Sequence, residues 1–259
     1  PHCQNHVAME HFNRYSTEYI KQISDGEFET VLITIRRKQV CRQIRRFKHD
    51  EILEIGCGLD PLFSHISDYR NFVTVEPVIS FYQAALAVAG NKPNISIIHG
   101  TLESAVEELK KRPFDFIVSS SILHEVPDPS LFLKSLFEIC GRDTVVYLDV
   151  PNIKSFHRLL GLEMGLIDNL SEASALERRF GRHSHFDKAK LTKLISDAGF
   201  ELIDSFTYFI KPFPNDQMAR MLRDNIINEV TLNALEDLCR LFPDNGSGLA
   251  VLIRKSKQI

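Results

Sequence analysis

The chain has 259 residues, 44% hydrophobic and 25% charged, with net charge −3 and pI about 6.4. It is long enough to bury one substantial core, and its charge gives no global drive toward nucleic acid or an anionic membrane. No apolar run reaches the roughly 18 residues of a membrane span, and the opening "PHCQNHVAMEHFNRYS" shows no apolar signal region, so a cytoplasmic protein is expected.

Residues 8–49 read as helix, from apolar positions three and four apart in "STEYIKQI" and "FETVLITIRRKQVCRQIRRF". Strands follow at "EILEI" (51–55), "FVTVEP" (72–77), "ISIIHG" (95–100), "FDFIVSS" (114–120) and "TVVYLDVP" (144–151). Helices are expected between them, around 62–69, 79–89, 102–111 and 130–140. A further helix at 191–200, with Gly199 as its C-terminal cap, leads to strands at 201–210 and 247–256. This alternation predicts an α/β fold: a Rossmann-like, seven-stranded, mostly parallel sheet with an antiparallel last strand and helices on both faces. Residues 152–185 and 211–245 look helical and sit as caps above the strand ends, so the expectation is one domain with appended segments. Cys3, Cys41, Cys57, Cys140 and Cys239 are odd in number, spread out and without a CxxC, which favours reduced thiols over disulfides or zinc.

The stretch "EILEIGCG" carries the first functional signal. A glycine turn at the end of the first strand of a parallel sheet brings backbone N–H groups toward a ligand. Gly56 and Gly58 permit close approach. Glu76 ends the second strand about 20 residues on, where an acidic side chain meets ribose hydroxyls. The pair fits an adenosine-containing ligand without choosing between a dinucleotide and S-adenosylmethionine. Three features choose. Glu54 beside the turn repels a pyrophosphate and suits an ammonium. Leu59 and Asp60 stand where a third glycine would be approached. The last two strands suit an antiparallel seventh strand.

With "ILEIGCG", "VTVEP", "HGTLES", "FDFIVSSSILHEVPDP" and "LISDAGFELIDS" in order, residues 50–205 resemble the class I S-adenosylmethionine-dependent methyltransferases. The resemblance implies S-adenosylmethionine as cofactor and S-adenosylhomocysteine as product. It also implies that Glu54 and the backbone of Gly56, Cys57 and Gly58 hold the methionine end. Glu76 would hold the ribose, and Pro77 or Val78 would pack near the adenine. The family often has an acidic residue after the third strand; here Thr101 stands there, so Thr101 or the Leu102 backbone would meet the adenine. Ser119, Ser120 and Ser121 would approach the methionine and the methyl. Tyr15 would belong to a lid made by residues 1–49, with Tyr19 beside it on the substrate side.

Methyl transfer needs positioning and desolvation, and an oxygen acceptor usually also a base. His124, just after the fourth strand, is the best candidate because imidazole titrates near working pH. His183 and His185 are further candidates for catalysis or substrate contact. No carboxylate cluster accompanies Asp149, so no metal is expected. The second half, "VPNIKSFHRLLGLEMGLI" with "YFIKPFPNDQM", is similar to a subgroup tied to bacterial surface glycans and small metabolites. In that reading Asn152, His157, Arg158, Lys211 and Gln217 line the acceptor pocket, and Arg and Lys suit a phosphate or carboxylate. The expected acceptor is a small polar molecule, an oxygen of a sugar, sugar nucleotide or related metabolite. Two alternatives stand beside it: an RNA-modifying enzyme using the basic run 36–49, and a non-catalytic scaffold. Val40, Ile44 and Phe47 form an apolar stripe through that run, which favours an amphipathic helix over nucleic acid. The oligomeric state is open, a homodimer among the options.

Overall fold

The computed structural model describes residues 28–171 and 184–257. Tyr15, Tyr19 and His183, expected in the lid and the site, lie outside the described residues.

Helix α1 (Glu29–Ile44) packs Ile35, Val40 and Ile44 inward. Its basic residues pair with the rest of the chain: Arg37 with Asp60, Lys38 and Arg42 with Glu236. Arg46, just past the helix, pairs with Asp204. An exposed ion pair is worth about 0–1 kcal/mol, whereas burying one Val or Ile side chain contributes about 1.5–3 kcal/mol. The apolar stripe therefore anchors the helix, and the basic run is occupied with partners in its own chain.

The strands β1 (Glu51–Ile55), β2 (Asn71–Glu76), β3 (Ile95–His99), β4 (Phe116–Ser120), β5 (Val145–Pro151), β6 (Phe200–Tyr208) and β7 (Gly248–Lys255) form one sheet. Its order is β3-β2-β1-β4-β5-β7-β6. The pairs among β1 to β5 are parallel, and β7 runs antiparallel to both β5 and β6. The expected seven strands and the antiparallel seventh are all present.

Between them run α2 (Ile79–Ala89), α3 (Leu102–Leu109), α4 (Pro129–Ile139), α5 (Phe156–Glu163) and α6 (Lys188–Asp197). Helices α7 (Asn215–Arg223) and α8 (Glu229–Asp237) precede β7. Period-2 alternation splits the strand side chains between two cores. Leu53, Val73, Ile117 and Leu148 pack with α3, α4 and α6 residues such as Leu102, Leu136 and Leu191. Ile52, Phe72, Phe116 and Tyr147 pack on the other face with Val40 and Ile44 of α1.

Two expectations need correction. The helix placed at 62–69 is only a 3-10 turn, Leu62–Ser64. The Arg70 and Asn71 N–H groups both reach back to the Asp50 carbonyl, so the chain must already have returned to start β2. The N-terminal helix ends at Ile44 rather than 49. Gly199 does close α6, with φ +88° and its N–H on the Ser196 carbonyl.

Candidate active site

The strand order reverses between β1 and β4. In an open parallel sheet the crevice at that point is the place for a ligand. On the β1 side lies the glycine turn. Gly56 and Gly58 have φ +74° and +58°, and a Cβ at Gly56 would stand 2.5 Å from Ile122 Cδ1.

Glu76, 2% exposed, closes this turn from β2. Its Oε2 accepts the N–H groups of Cys57 (2.9 Å) and Gly58 (3.2 Å), and its Oε1 accepts Val78 N–H at 2.8 Å. Gly56 N–H continues the sheet onto the Val75 carbonyl. This corrects the expected contact mode. The N–H groups of the turn are spent inside the protein, so what it offers a ligand is carbonyl oxygen, which suits an ammonium. Oε1 of Glu76 keeps a lone pair for a ribose hydroxyl.

Glu54 is buried, and both its oxygens lie 3.1 Å from the Leu62 N–H, fastening the 3-10 turn to β1. Burial pushes its carboxyl up to about 8, partly offset by that bond. A cation beside it would restore the charge. The residues therefore fit an adenosyl group with a cationic amino end.

The other expected contacts divide. Thr101 caps α3, its oxygen accepting Ser104 N–H at 3.3 Å, so part of its acceptor capacity is used locally. Leu102 puts its side chain in the core and starts α3, where the helix itself leaves the N–H unpaired. The Pro77 carbonyl meets His99 Nε2 at 3.2 Å, and the His99 ring lies against Tyr82. Ser119 is fully buried with no hydrogen-bond partner for its hydroxyl among the described residues, whereas Ser120 donates to Asp149 at 3.0 Å.

Beyond the ends of β4 and β5 opens a cavity of about 520 Å³. His124, His157 and His185 line it, together with Arg158, Lys211 and Asn152. Six of the residues expected at catalysis or substrate are thus brought together. Ser184 N–H on the His124 carbonyl and Ile153 N–H on the Phe186 carbonyl hold the 184–186 segment, and with it His185, against the β5 end. His124 is 2% exposed, its Nε2 3.5 Å from a Glu125 carboxylate oxygen. Burial first, then Lys211 and Arg158, hold the His157 imidazole well below its usual range, so it is neutral. Its Nδ1 is buried without a hydrogen-bond partner among the described residues.

Asn152 lines the cavity, but its amide donates to the Asp244 and Gly246 carbonyls, both at 2.9 Å, and accepts Lys154 N–H. It is a strut for the loop before β7. Gln217 does not line the cavity. Helix α7 begins at Asn215, and its first turn shows Asn215 and Asp216 to the cavity while Gln217 is exposed elsewhere.

Sequence reasoning missed Glu29, Arg36, Tyr208 and Asn215 as lining residues, and took Asp149 only as a weak metal ligand. Arg36 pairs with Glu29 at 2.7 Å, and the Asn215 side chain joins Glu29 to Lys211, whose Nζ donates to Asn215 Oδ1 at 2.6 Å. Asp149 is 1% exposed and accepts Tyr147 OH (2.9 Å), Tyr208 OH (3.1 Å) and Ser121 N–H (2.6 Å). Ser121 has φ +61°, a strained conformation for a residue with a side chain, and Asp149 holds it there. An acidic residue inside the apolar run "VVYLDVP" was the available signal.

The profile of a family described as "Methyltransferase domain" matches residues 32–205. No curated protein matches. Among solved structures, an S-adenosylmethionine-dependent methyltransferase from Thermotoga maritima, described as a possible histamine N-methyltransferase, is 19% identical with a TM-score of 0.63. The match covers 95% of this chain and 99% of that one. The plantazolicin methyltransferase BamL, in complex with a triazolic desmethylPZN analog and SAH, is 13% identical over 98% of this chain and 99% of that one, with a TM-score of 0.60. A methyltransferase from Archaeoglobus fulgidus is 14% identical over 92% and 99%, with a TM-score of 0.56. At such identities the likeness is one of fold.

Proposed function

The chain belongs to the methyltransferase domain family, and on that footing we propose that it methylates a small polar acceptor, an oxygen of a sugar, sugar nucleotide or related hydroxylated metabolite. The cofactor is S-adenosylmethionine, which supplies a methyl group on a sulfonium centre. Glu76 would take a ribose hydroxyl, and Glu54 with the carbonyls of residues 56–58 would take the amino end. Ser121, just past the end of β4, lines the cavity and would lie beside the methyl group.

The observation that carries the acceptor reading is the cavity itself. It joins His124, His157 and His185 to Arg158 and Lys211, so groups able to take a proton stand beside groups able to hold an anion. His124 would receive the acceptor's proton. His157, neutral between two cations, would bind the acceptor through its imidazole. Residues 1–49 would act as the lid, and 151–185 with 211–245 as the walls of the acceptor side.

The test is transfer of labelled methyl from S-adenosylmethionine to a panel of sugar phosphates, sugar nucleotides, hydroxy acids and amines. Label in the hydroxylated anions supports the reading. Label confined to the amines contradicts it.

A further inference from the structure

Asp149 and Tyr208 both face the cavity, and the direction of their hydrogen bond decides what that wall presents. A phenol has one proton to give. The Tyr208 proton lies on Asp149 Oδ2, 3.1 Å away. Burial, then the Asp149 charge, push the Tyr208 phenol well above its usual range, so it keeps that proton. Toward the cavity Tyr208 is left with lone pairs alone. The Asp149 carboxylate is acceptor-only as well. The Ser121 N–H, a backbone donor of another lining residue, is turned onto Asp149 at 2.6 Å. Arg158 and Lys211, which carry donors and no acceptor, line the same cavity from α5 and from the start of the 211–245 segment. Among the described residues, the ends of β5 and β6 thus present acceptors to the cavity, Arg158 and Lys211 bring cationic donors from the cap segments, and Arg36, paired with Glu29, brings a further one from α1.

The fold is arranged to keep Tyr208 in this position. Strand β7 lies between β6 and β5, so the Tyr208 side chain must cross it to reach Asp149. It crosses at Gly248, its register partner, where a Cβ would stand 2.1 Å from the ring.

We propose that Tyr208 and Asp149 form the specificity-determining wall that receives a hydroxyl of the methyl acceptor, while Lys211 and Arg158 receive an anionic group of the same molecule. The substrate class is then a hydroxylated phosphate or carboxylate. Tyr208 makes the contact with the acceptor. Asp149 is a positioning residue that acts by fixing the direction of the Tyr208 hydroxyl and the strained Ser121 backbone. This deepens the methyltransferase reading and rests on it.

The test compares matched probes by ligand-observed NMR on protein saturated with S-adenosylhomocysteine: glycerol 3-phosphate against propyl phosphate, and glycerate against propionate. A hydrogen bond to a neutral partner is worth about 0.5–1.5 kcal/mol, so the hydroxylated member of each pair binds about 3- to 10-fold tighter. In Tyr208→Phe that advantage disappears while S-adenosylhomocysteine affinity stays. Equal binding within the pairs, no binding of any probe, or an advantage that survives Tyr208→Phe overturns the proposal. The comparison within the parent protein decides alone if the variant does not fold. Should the parent fail to bind S-adenosylhomocysteine, the cofactor reading fails separately, and the same pairs are compared on protein without it.

Discussion

Gly248 on β7 faces Tyr208 on β6, and a Cβ at 248 would stand 2.1 Å from the tyrosine ring and 2.4 Å from its oxygen. The missing side chain is what lets a residue of the sheet edge reach a carboxylate two strands away.

Gly248→Ala should therefore displace the Tyr208 ring and break its bond to Asp149. Forced overpacking costs about 1–3 kcal/mol. Chemical denaturation should show a loss of that size, with S-adenosylhomocysteine affinity little changed, since the glycine turn is on other strands. A variant as stable as the parent would mean that the ring can settle elsewhere at no cost.

The two tyrosines on Asp149 give a spectroscopic signature. Burial and then the Asp149 charge raise Tyr147 and Tyr208 well above the ordinary value of 10. The folded state keeps protons that the unfolded chain releases above that value, so stability falls as pH rises beyond it. Of six tyrosines in the chain, these two should ionise only as the fold opens, seen as a late step in the ultraviolet difference absorbance. Ionisation of all six before unfolding would contradict this.

Glu54 predicts the pH dependence of cofactor binding. Its carboxyl is raised from 4.5 to about 8, chiefly by burial. An ammonium beside it favours the carboxylate, so binding of S-adenosylhomocysteine should release a proton below that pH. Affinity should rise as pH approaches 8 from below, and the calorimetric heat should vary with the ionisation enthalpy of the buffer. In the cofactor-free protein the sign is opposite for folding: the folded state holds a proton that the unfolded state has lost, so this group's contribution to stability falls between pH 4.5 and about 8. Binding with no linked proton would remove Glu54 from the amino end.

Glu76→Ala would strand the Cys57, Gly58 and Val78 N–H groups. A buried donor left unsatisfied costs about 1–3 kcal/mol, so the variant should lose at least that in stability. Losing a hydrogen bond between a charged group and the ribose, worth about 1.5–3 kcal/mol, should lower S-adenosylhomocysteine affinity about 10- to 100-fold. Titration calorimetry on the folded fraction separates the two effects. Unchanged affinity would remove Glu76 from the ribose.

The legible part of this protein is the part written locally. Glu54, Gly56 and Gly58 lie within five residues of one another, and the strands that carry them and Glu76 read as apolar runs. Asp149 and Tyr208 were not legible as a pair because 59 residues and an intervening strand separate them. Their meeting depends on β7 returning between β5 and β6 with a glycine at the crossing. Asn152 and Gln217 illustrate a different limit. Asn152 lines the cavity with its amide turned onto the loop before β7, and Gln217 falls outside it, because where an amide points, and where a helix begins its first turn, are settled by packing. The glycine turn shows a third: its geometry was expected, yet its N–H groups serve Glu76.

If the cavity receives the acceptor, the crevice between β1 and β4 must hold the cofactor and open onto that cavity. A crystal structure grown with S-adenosylhomocysteine tests it most directly. The expected density has a ribose hydroxyl on Glu76 Oε1, the amino group by Glu54 and the glycine-turn carbonyls, and the sulfur facing the cavity beside Ser121. S-adenosylhomocysteine bound elsewhere, or its sulfur turned away from the cavity of His124, Asp149 and Tyr208, would contradict it.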